Sequence, residues 1–157
     1  MLTFIEFITE QESFKSWFRK NASYRGLKND DTGGGGAMLG RGLYTAALSN
    51  KSLAKEYGEV KILIGARPKN PLRFKDLNQF EIWCQKNLYM LYPEGEFPSK
   101  RNFFKNDTIE DAVQKMGYDG IEIIGREYVN FKPDKDSIRY FSNRLQAELY
   151  FNDFIKS

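Results

Sequence analysis

The chain has 157 residues, of which 41% are hydrophobic and 15% aromatic, enough apolar material for one core and thus for a single domain spanning residues 1–157. It contains no histidine, which excludes Ser-His and Cys-His nucleophilic systems and most zinc sites, so we expect no metal. The 24 basic and 21 acidic side chains are mixed along the sequence and give a net charge of only +3, which makes no strong electrostatic case for nucleic acid.

The first half of the chain alternates apolar runs with caps and glycines. Thr9 precedes a run in which Phe14, Trp17 and Phe18 recur at the helical period, so it is expected to cap a helix. Four consecutive glycines from Gly33 forbid regular structure around them. The elements predicted here are a strand at 2–8, a helix from about 10 to 20, an extended segment at 22–27, an irregular stretch at 28–40, a strand at 43–48, a short helix at 51–57 and a buried strand at 60–66.

The second half predicts two internal helices, a long loop and a group of late strands. Cys84 is the single cysteine and cannot form an internal disulfide, so a packing role is expected. Pro68 and Pro71 end the preceding strand. The predicted elements are a helix at 76–88, a surface loop at 89–105, a helix capped by Asp107 or Thr108 and ending near 116, strands at 120–124, 127–131 and 137–141, and a helix at 143–155. Because strands and helices mix without regular βαβ alternation, we expect an α+β fold with a mostly antiparallel sheet.

The segment that begins at Gly40 combines flexible backbone with aromatic side chains. Gly40 and Gly42 would let the backbone approach a flat ligand, while Tyr44 offers a ring for stacking and Tyr57 could close the other side of the same slot. A carboxamide-bearing pyridinium would suit such a surface. The alternative interpretation is a glycine turn, a core tyrosine and a solvated Lys51.

Glu127 opens a predicted strand whose alternation places it on one face with Val129 and Phe131. A glutamate on an apolar face is costly unless it has a partner or a ligand. A carboxylate bonded to a ribose hydroxyl would stabilise the positive charge that develops when a nicotinamide–ribose bond breaks. The alternative is an edge-strand glutamate that faces water.

Arg25 lies between Tyr24 and Gly26, so a guanidinium group stands beside backbone that could pair with an amide. Arginine recognises phosphate through two parallel hydrogen bonds better than lysine does, and the pyrophosphate of NAD is a natural ligand. A surface arginine at a strand end is the alternative.

Together these segments resemble a known family. The run from Gly42 to Ala46, followed by Lys51-Ser52 and an aromatic residue near the helix end, resembles the glycine-x-tyrosine-x-alanine segment of poly-ADP-ribose polymerases and related ADP-ribosyltransferases. Tyr24-Arg25-Gly26 is similar to the aromatic-Arg-Gly opening of arginine-type mono-ADP-ribosyltransferases. The segment that starts at Glu127 resembles the strand that carries the family's catalytic glutamate. The likeness covers roughly residues 24–140 and implies a single ADP-ribosyltransferase-like domain, with a split, mostly antiparallel sheet and flanking helices.

The resemblance also implies roles for individual residues. Glu127 would be the catalytic carboxylate, and Tyr44 and Arg25 would complete the catalytic set. Arg25 would hold a phosphate or ribose of NAD, the Gly26 backbone would pair with the nicotinamide amide, and Tyr44 and Tyr57 would bracket the ring. The further NAD-binding positions are Tyr24, Gly42, Thr45, Lys51 and Ser52.

The chain departs from both branches of that family. The polymerase branch has histidine at the position of Arg25, and arginine-type members have Ser-Thr-Ser on the second strand and another glutamate two residues before the catalytic one, where this chain has Gly125. These differences favour a hybrid branch, of the phage-encoded or bacterial effector kind, and weaken the case for arginine as the modified side chain.

The expected activity is mono-ADP-ribosyl transfer from NAD, as substrate, to a macromolecular acceptor, with a protein favoured. NAD hydrolysis and an inactive module that binds NAD or a partner remain open. A nucleic-acid acceptor is less favoured, although residues 100–105 interleave aromatic and basic side chains. No apolar run is long enough to span a membrane and the start lacks signal-peptide features, so we expect a cytoplasmic protein, in its own or a host cell, with no membrane partner.

Overall fold

One mixed β-sheet of seven strands dominates the computed structural model, which describes residues 4–27, 38–88 and 108–156, with side chains from residue 13 onward. The elements in chain order are α1 (Phe4–Asn21), β1 (Ala22–Leu27), β2 (Leu43–Ala46), α2 (Lys51–Lys55), β3 (Glu59–Ile64), β4 (Pro71–Phe74), α3 (Leu77–Asn87), α4 (Ile109–Lys115), β5 (Gly120–Ile123), β6 (Glu127–Asn130), β7 (Arg139–Phe141) and α5 (Arg144–Tyr150), which continues as a π-helix (Phe151–Ile155).

The strand order in this sheet is β4-β5-β6-β2-β1-β3-β7. Every neighbouring pair is antiparallel except β4 with β5, which is parallel. The α+β class and the mostly antiparallel sheet are therefore confirmed. Strand β4 was not predicted, because its first residue is Pro71; proline is compatible with that place because β4 lies at the sheet edge and begins there.

The junction between β1 and β2 is the weakest ladder of the sheet. Tyr24 and Ala46 form the one register pair between these strands, whereas β1 makes six such pairs with β3 and β2 makes four with β6. The ladder between these strands is confined to that one pair, and we call this junction the fork. Backbone groups inside a fork need partners other than a ladder.

Two apolar clusters hold the helices against the sheet. Helices α3 and α4 cover strands β4 to β6 through a cluster of buried side chains: Leu39, Phe74, Phe80, Cys84, Leu88, Ile109, Val113, Ile121, Ile123 and Val129. Helices α1 and α5 cover β1 and β3 through a second set: Phe14, Phe18, Ala22, Ile62, Ile64, Ala147 and Phe151. Phe80 and Cys84 of α3 are both almost fully buried, which confirms the expected packing role of Cys84.

The predicted strand at 2–8 is wrong, because a single helix runs from Phe4 to Asn21 and includes Thr9, the predicted cap. The apolar run at the start is short, and short runs of this kind fit either a strand or a helix. No proline or glycine separates it from the helical pattern that follows, so the helix extends through it. The predicted strands and helices from residue 43 to 88 and from 108 to 155 are otherwise found within a few residues of their predicted bounds. The predicted loops fall mostly outside the described residues, at 28–37 and 89–107.

Candidate active site

The three sequence segments that predicted the site lie on three adjacent strands. Glu127 opens β6, which is paired along its whole length with β2, and β2 adjoins β1 at the fork. Arg25 and Glu127 are separated by on the order of a hundred residues in the chain, yet in the sheet only β2 lies between the strands that carry them. Distant segments come together here because β2 pairs on both sides.

A row of directly opposed residues crosses all seven strands through Glu127. In strand order it reads Phe74, Ile123, Glu127, Ala46, Tyr24, Ile62 and Phe141, and we call it the Glu127 row. Directly opposed residues point to the same face of a sheet. The row therefore lies on the face that the helices cover, and Glu127 is the one ionisable acid in it.

Glu127 is almost buried, and only 12% of its side-chain surface is exposed to solvent. Arg126 Nε donates a hydrogen bond to Glu127 Oε1 at 3.2 Å. Burial raises the pKa of the Glu127 carboxyl, and the charge and hydrogen bond of Arg126 oppose that rise. Because β6 lies between β5 and β2, the alternative of an edge-strand glutamate that faces water is wrong. Arg126 was missed by sequence reasoning, although a cation directly beside the acid was a signal for it.

Arg25 spans the fork rather than standing on the surface. Its Nη1 donates to the backbone oxygen of Tyr44 at 2.7 Å, so the guanidinium bonds a β2 carbonyl beyond the single β1–β2 register pair. Strand alternation starts the Arg25 side chain on the face opposite Tyr24, and therefore opposite Glu127. Arg25 and Glu127 thus approach the β2 strand from different faces, which the sequence did not predict.

Tyr44 packs against the core cluster beneath α3 and α4, on the same face as Glu127. Its hydroxyl accepts from the Leu39 amide at 3.0 Å and donates to the carbonyl oxygen of Gly40. These bonds fix the turn before β2, as the core-tyrosine interpretation requires. A Cβ on Gly42 would stand 2.5 Å from the Asn130 carbonyl oxygen, so this glycine is required by the close approach of β6.

Gly26 lies directly beneath the end of α2. A Cβ there would stand 2.0 Å from the Ala54 carbonyl oxygen and 2.8 Å from Cβ of Tyr57, which positions Tyr57 over the β1 backbone. Tyr57 remains 46% exposed, so part of its ring stays accessible beside the fork. The structure thus brings Gly26 and Tyr57 into direct contact, and Tyr44 packs in the core instead of facing Tyr57 across an open slot.

The remaining predicted positions divide between the two faces. Lys51 Nζ lies 5.6 Å from the centre of the Tyr24 ring, a cation–π contact on the Glu127 face. Ser52 Oγ donates to Asn50 Oδ1 at 3.0 Å and supports the start of α2. Thr45 points to the opposite face, where its buried hydroxyl has no hydrogen-bond partner within the described ranges.

Comparison with protein-family models, with curated proteins and with solved structures finds no match to this chain. Among the described helices, none combines the length and apolar character that crossing a membrane requires. Within residues 4–27, 38–88 and 108–156, no three cysteine or acidic side chains converge in a way that could hold a metal ion. The site is therefore interpreted from its own geometry.

Proposed function

We propose that the protein breaks the nicotinamide–ribose bond of NAD and transfers ADP-ribose to a macromolecular acceptor, with a protein as the favoured acceptor. The observation that carries the proposal is the position of Glu127: a nearly buried carboxylate in the middle of the sheet, on a strand paired directly with the Gly42–Ala46 segment. The sequence resemblance to ADP-ribosyltransferases implies that Glu127 and this segment serve one site, and nothing in local sequence brings them together.

Glu127 would act on the ribose. As the nicotinamide nitrogen leaves with the bonding electron pair, positive charge develops at the ribose carbon and ring oxygen, and a fixed carboxylate bonded to a ribose hydroxyl lowers the energy of that state. The residues that oppose Glu127 on the two neighbouring strands, Ala46 and Ile123, are apolar, and such a setting strengthens an electrostatic interaction. An acceptor nucleophile then bonds to the same carbon and loses its proton.

Arg126 would keep Glu127 in the required ionisation state. Burial favours the neutral carboxyl, and the guanidinium beside it favours the carboxylate. Arg126 acts through Glu127 and is therefore a positioning residue. Tyr57, which stays 46% exposed at the end of α2, is the group best placed to receive the nicotinamide ring; the Gly26 backbone beneath it is covered by α2.

Glu127→Gln is the decisive variant, because it keeps the shape of the side chain and removes its charge. The protein is incubated with NAD labelled in its adenylate half and with a cell lysate, while nicotinamide release is measured separately. We expect the parent protein to label a discrete acceptor and the variant to lose about 10²- to 10³-fold in rate.

Glu122→Gln is the matched control. Glu122 lies on β5, and only 13% of its side-chain surface is exposed to solvent. Arg73 Nε donates a hydrogen bond to Glu122 Oε1 at 2.9 Å, much as Arg126 does to Glu127. It pairs with Tyr128 and so points to the opposite face. This variant should keep full activity.

The same assay separates the competing functions. Free ADP-ribose without a labelled acceptor would identify a hydrolase, and NAD binding without nicotinamide release would identify a binding module. Nicotinamide release that survives in Glu127→Gln, or that falls equally in both variants, would reject the assigned role.

A further inference from the structure

A cavity of about 370 Å³ opens on the helix-covered face, beside the Glu127 row. The last two turns of α1, the side chain of Tyr24 on β1, the loop between β2 and α2, and the first residue of α5 form its walls. The lining residues are Lys15, Phe18, Arg19, Tyr24, Leu48, Ser49 and Arg144. Cavities of this size accept small molecules.

The charge of this cavity is strongly positive. Lys15, Arg19 and Arg144 contribute three cationic groups and no acidic side chain lines the cavity. Within the described parts of the chain, none of the three cations takes part in an ion pair. Three cations around one concave surface favour the binding of an anion, and the guanidinium group of arginine can donate two parallel hydrogen bonds to phosphate oxygens.

Two aromatic side chains also line the cavity. Phe18 is only 6% exposed, and the Arg144 guanidinium carbon lies 5.1 Å from the centre of its ring, whereas Tyr24 is half-buried and offers more of its surface to the cavity. Lys51 lies over the Tyr24 ring and extends the positive region towards α2. A ligand that carries both a planar ring and a phosphate matches both parts of this wall.

We propose that this cavity binds the phosphate of a mononucleotide, in addition to the dinucleotide at the proposed cleavage site. The phosphate lies among the Lys15, Arg19 and Arg144 head groups, and the base lies against Tyr24. Tyr24 belongs to the Glu127 row, with Ala46 between it and Glu127, so the nucleotide site adjoins the carboxylate without containing it.

The probe is labelled AMP, compared with adenosine and inorganic phosphate by equilibrium binding to the full chain at low salt. AMP should bind at least tenfold more tightly than either of the other two, since each lacks one half of the contacts. The variants Arg19→Gln and Arg144→Gln should each weaken AMP binding about tenfold, the scale of a lost charge-assisted contact.

Lys20→Gln is the matched control. Lys20 follows Arg19 in the last turn of α1 but does not line the cavity, so its loss should change AMP affinity by less than twofold. Equal losses in Arg19→Gln and Lys20→Gln would mean general attraction to a basic helix end and would overturn the proposal. AMP that binds no better than adenosine would overturn it as well.

A second arm separates this site from the NAD site. Glu127→Gln, which should not turn NAD over, is saturated with NAD and then titrated with labelled AMP. Undiminished AMP affinity supports a separate site, whereas displacement of AMP by NAD would place the cations in the dinucleotide site and overturn the proposal. If NAD does not bind at all, the proposed cleavage fails while the comparison of the Arg19, Arg144 and Lys20 variants still decides this inference.

Discussion

Gly26→Ala tests whether the end of α2 lies as close to β1 as the structure places it. The added Cβ would stand 2.0 Å from the Ala54 carbonyl oxygen, about 1 Å inside the shortest contact of 3.0 Å that real Cβ atoms make. The obstacle is backbone, so α2 must move away from the strand. Overpacking of this kind costs about 1–3 kcal/mol, which is roughly 2–12 °C of melting temperature for a domain of this size.

The assay combines thermal unfolding with amide hydrogen exchange. Exchange should accelerate in residues 51–57 of the variant, since those residues form or directly follow the displaced helix. Gly117→Ala is the control: its φ of +95° makes alanine costly, but nothing lies within 4 Å of the new Cβ, so it should lower stability without altering α2. A Gly26→Ala variant as stable as the parent, with unchanged exchange in α2, would refute the close approach. That result is a real alternative, because replacing a strand glycine without strain stabilises a protein by about 0.4–1 kcal/mol.

Three further outcomes follow from the packing and charge of single side chains. Activity should fall as pH drops through the pKa of Glu127; because Arg126→Gln removes the cation that lowers this pKa, the acid limb of the pH–rate profile should move to higher pH, whereas Arg73→Gln should leave it in place. An unmoved acid limb in Arg126→Gln would refute this account of Glu127. Cys84 is almost fully buried and burial raises the pKa of its thiol to about 12, so a thiol reagent should label it only after denaturation; rapid labelling of the folded protein would contradict its packing role. The Asn130 side chain donates a buried hydrogen bond to the Ala66 carbonyl oxygen and accepts a partly buried one from the Lys132 amide. Asn130→Ala removes both and should lower the free energy of unfolding by about 1–3 kcal/mol in a denaturant titration; a smaller loss would mean that water replaces them.

Local sequence sufficed for the elements that carry the site. Strand β1 around Arg25, strand β2 after Gly42 and strand β6 from Glu127 were all predicted as extended segments, and alternation within β6 also predicted the face of Glu127. That the three segments would serve one site was implied only by the family resemblance. The strand at 2–8 failed because its short apolar run carried no signal that separates strand from helix.

Register between strands could not be predicted, and it decides which side chains share a face. Alternation within β6 correctly placed Glu127 with Val129. Only the pairing of Tyr24 with Ala46, and of Ala46 with Glu127, reveals that Arg25 starts from the opposite face. That relation depends on contacts between residues far apart in sequence, and a shift of one residue would reverse it.

The composition of the Glu127 row is itself an argument for function. Its other members are alanine, isoleucine, phenylalanine and tyrosine, so a carboxylate in the middle of the row opposes the packing of everything beside it. An aliphatic residue at this place would lose nothing in β pairing and would avoid the cost of dehydrating a charge, and replacing buried ion pairs by apolar residues is often neutral or stabilising. Arg126 reduces that cost without removing it, since burial remains the largest influence on the pKa of Glu127. A residue whose chemistry is unfavourable for the packing around it is expected at positions where function requires that residue. The carboxylate therefore gives this part of the sheet a chemical capability that an apolar residue could not supply.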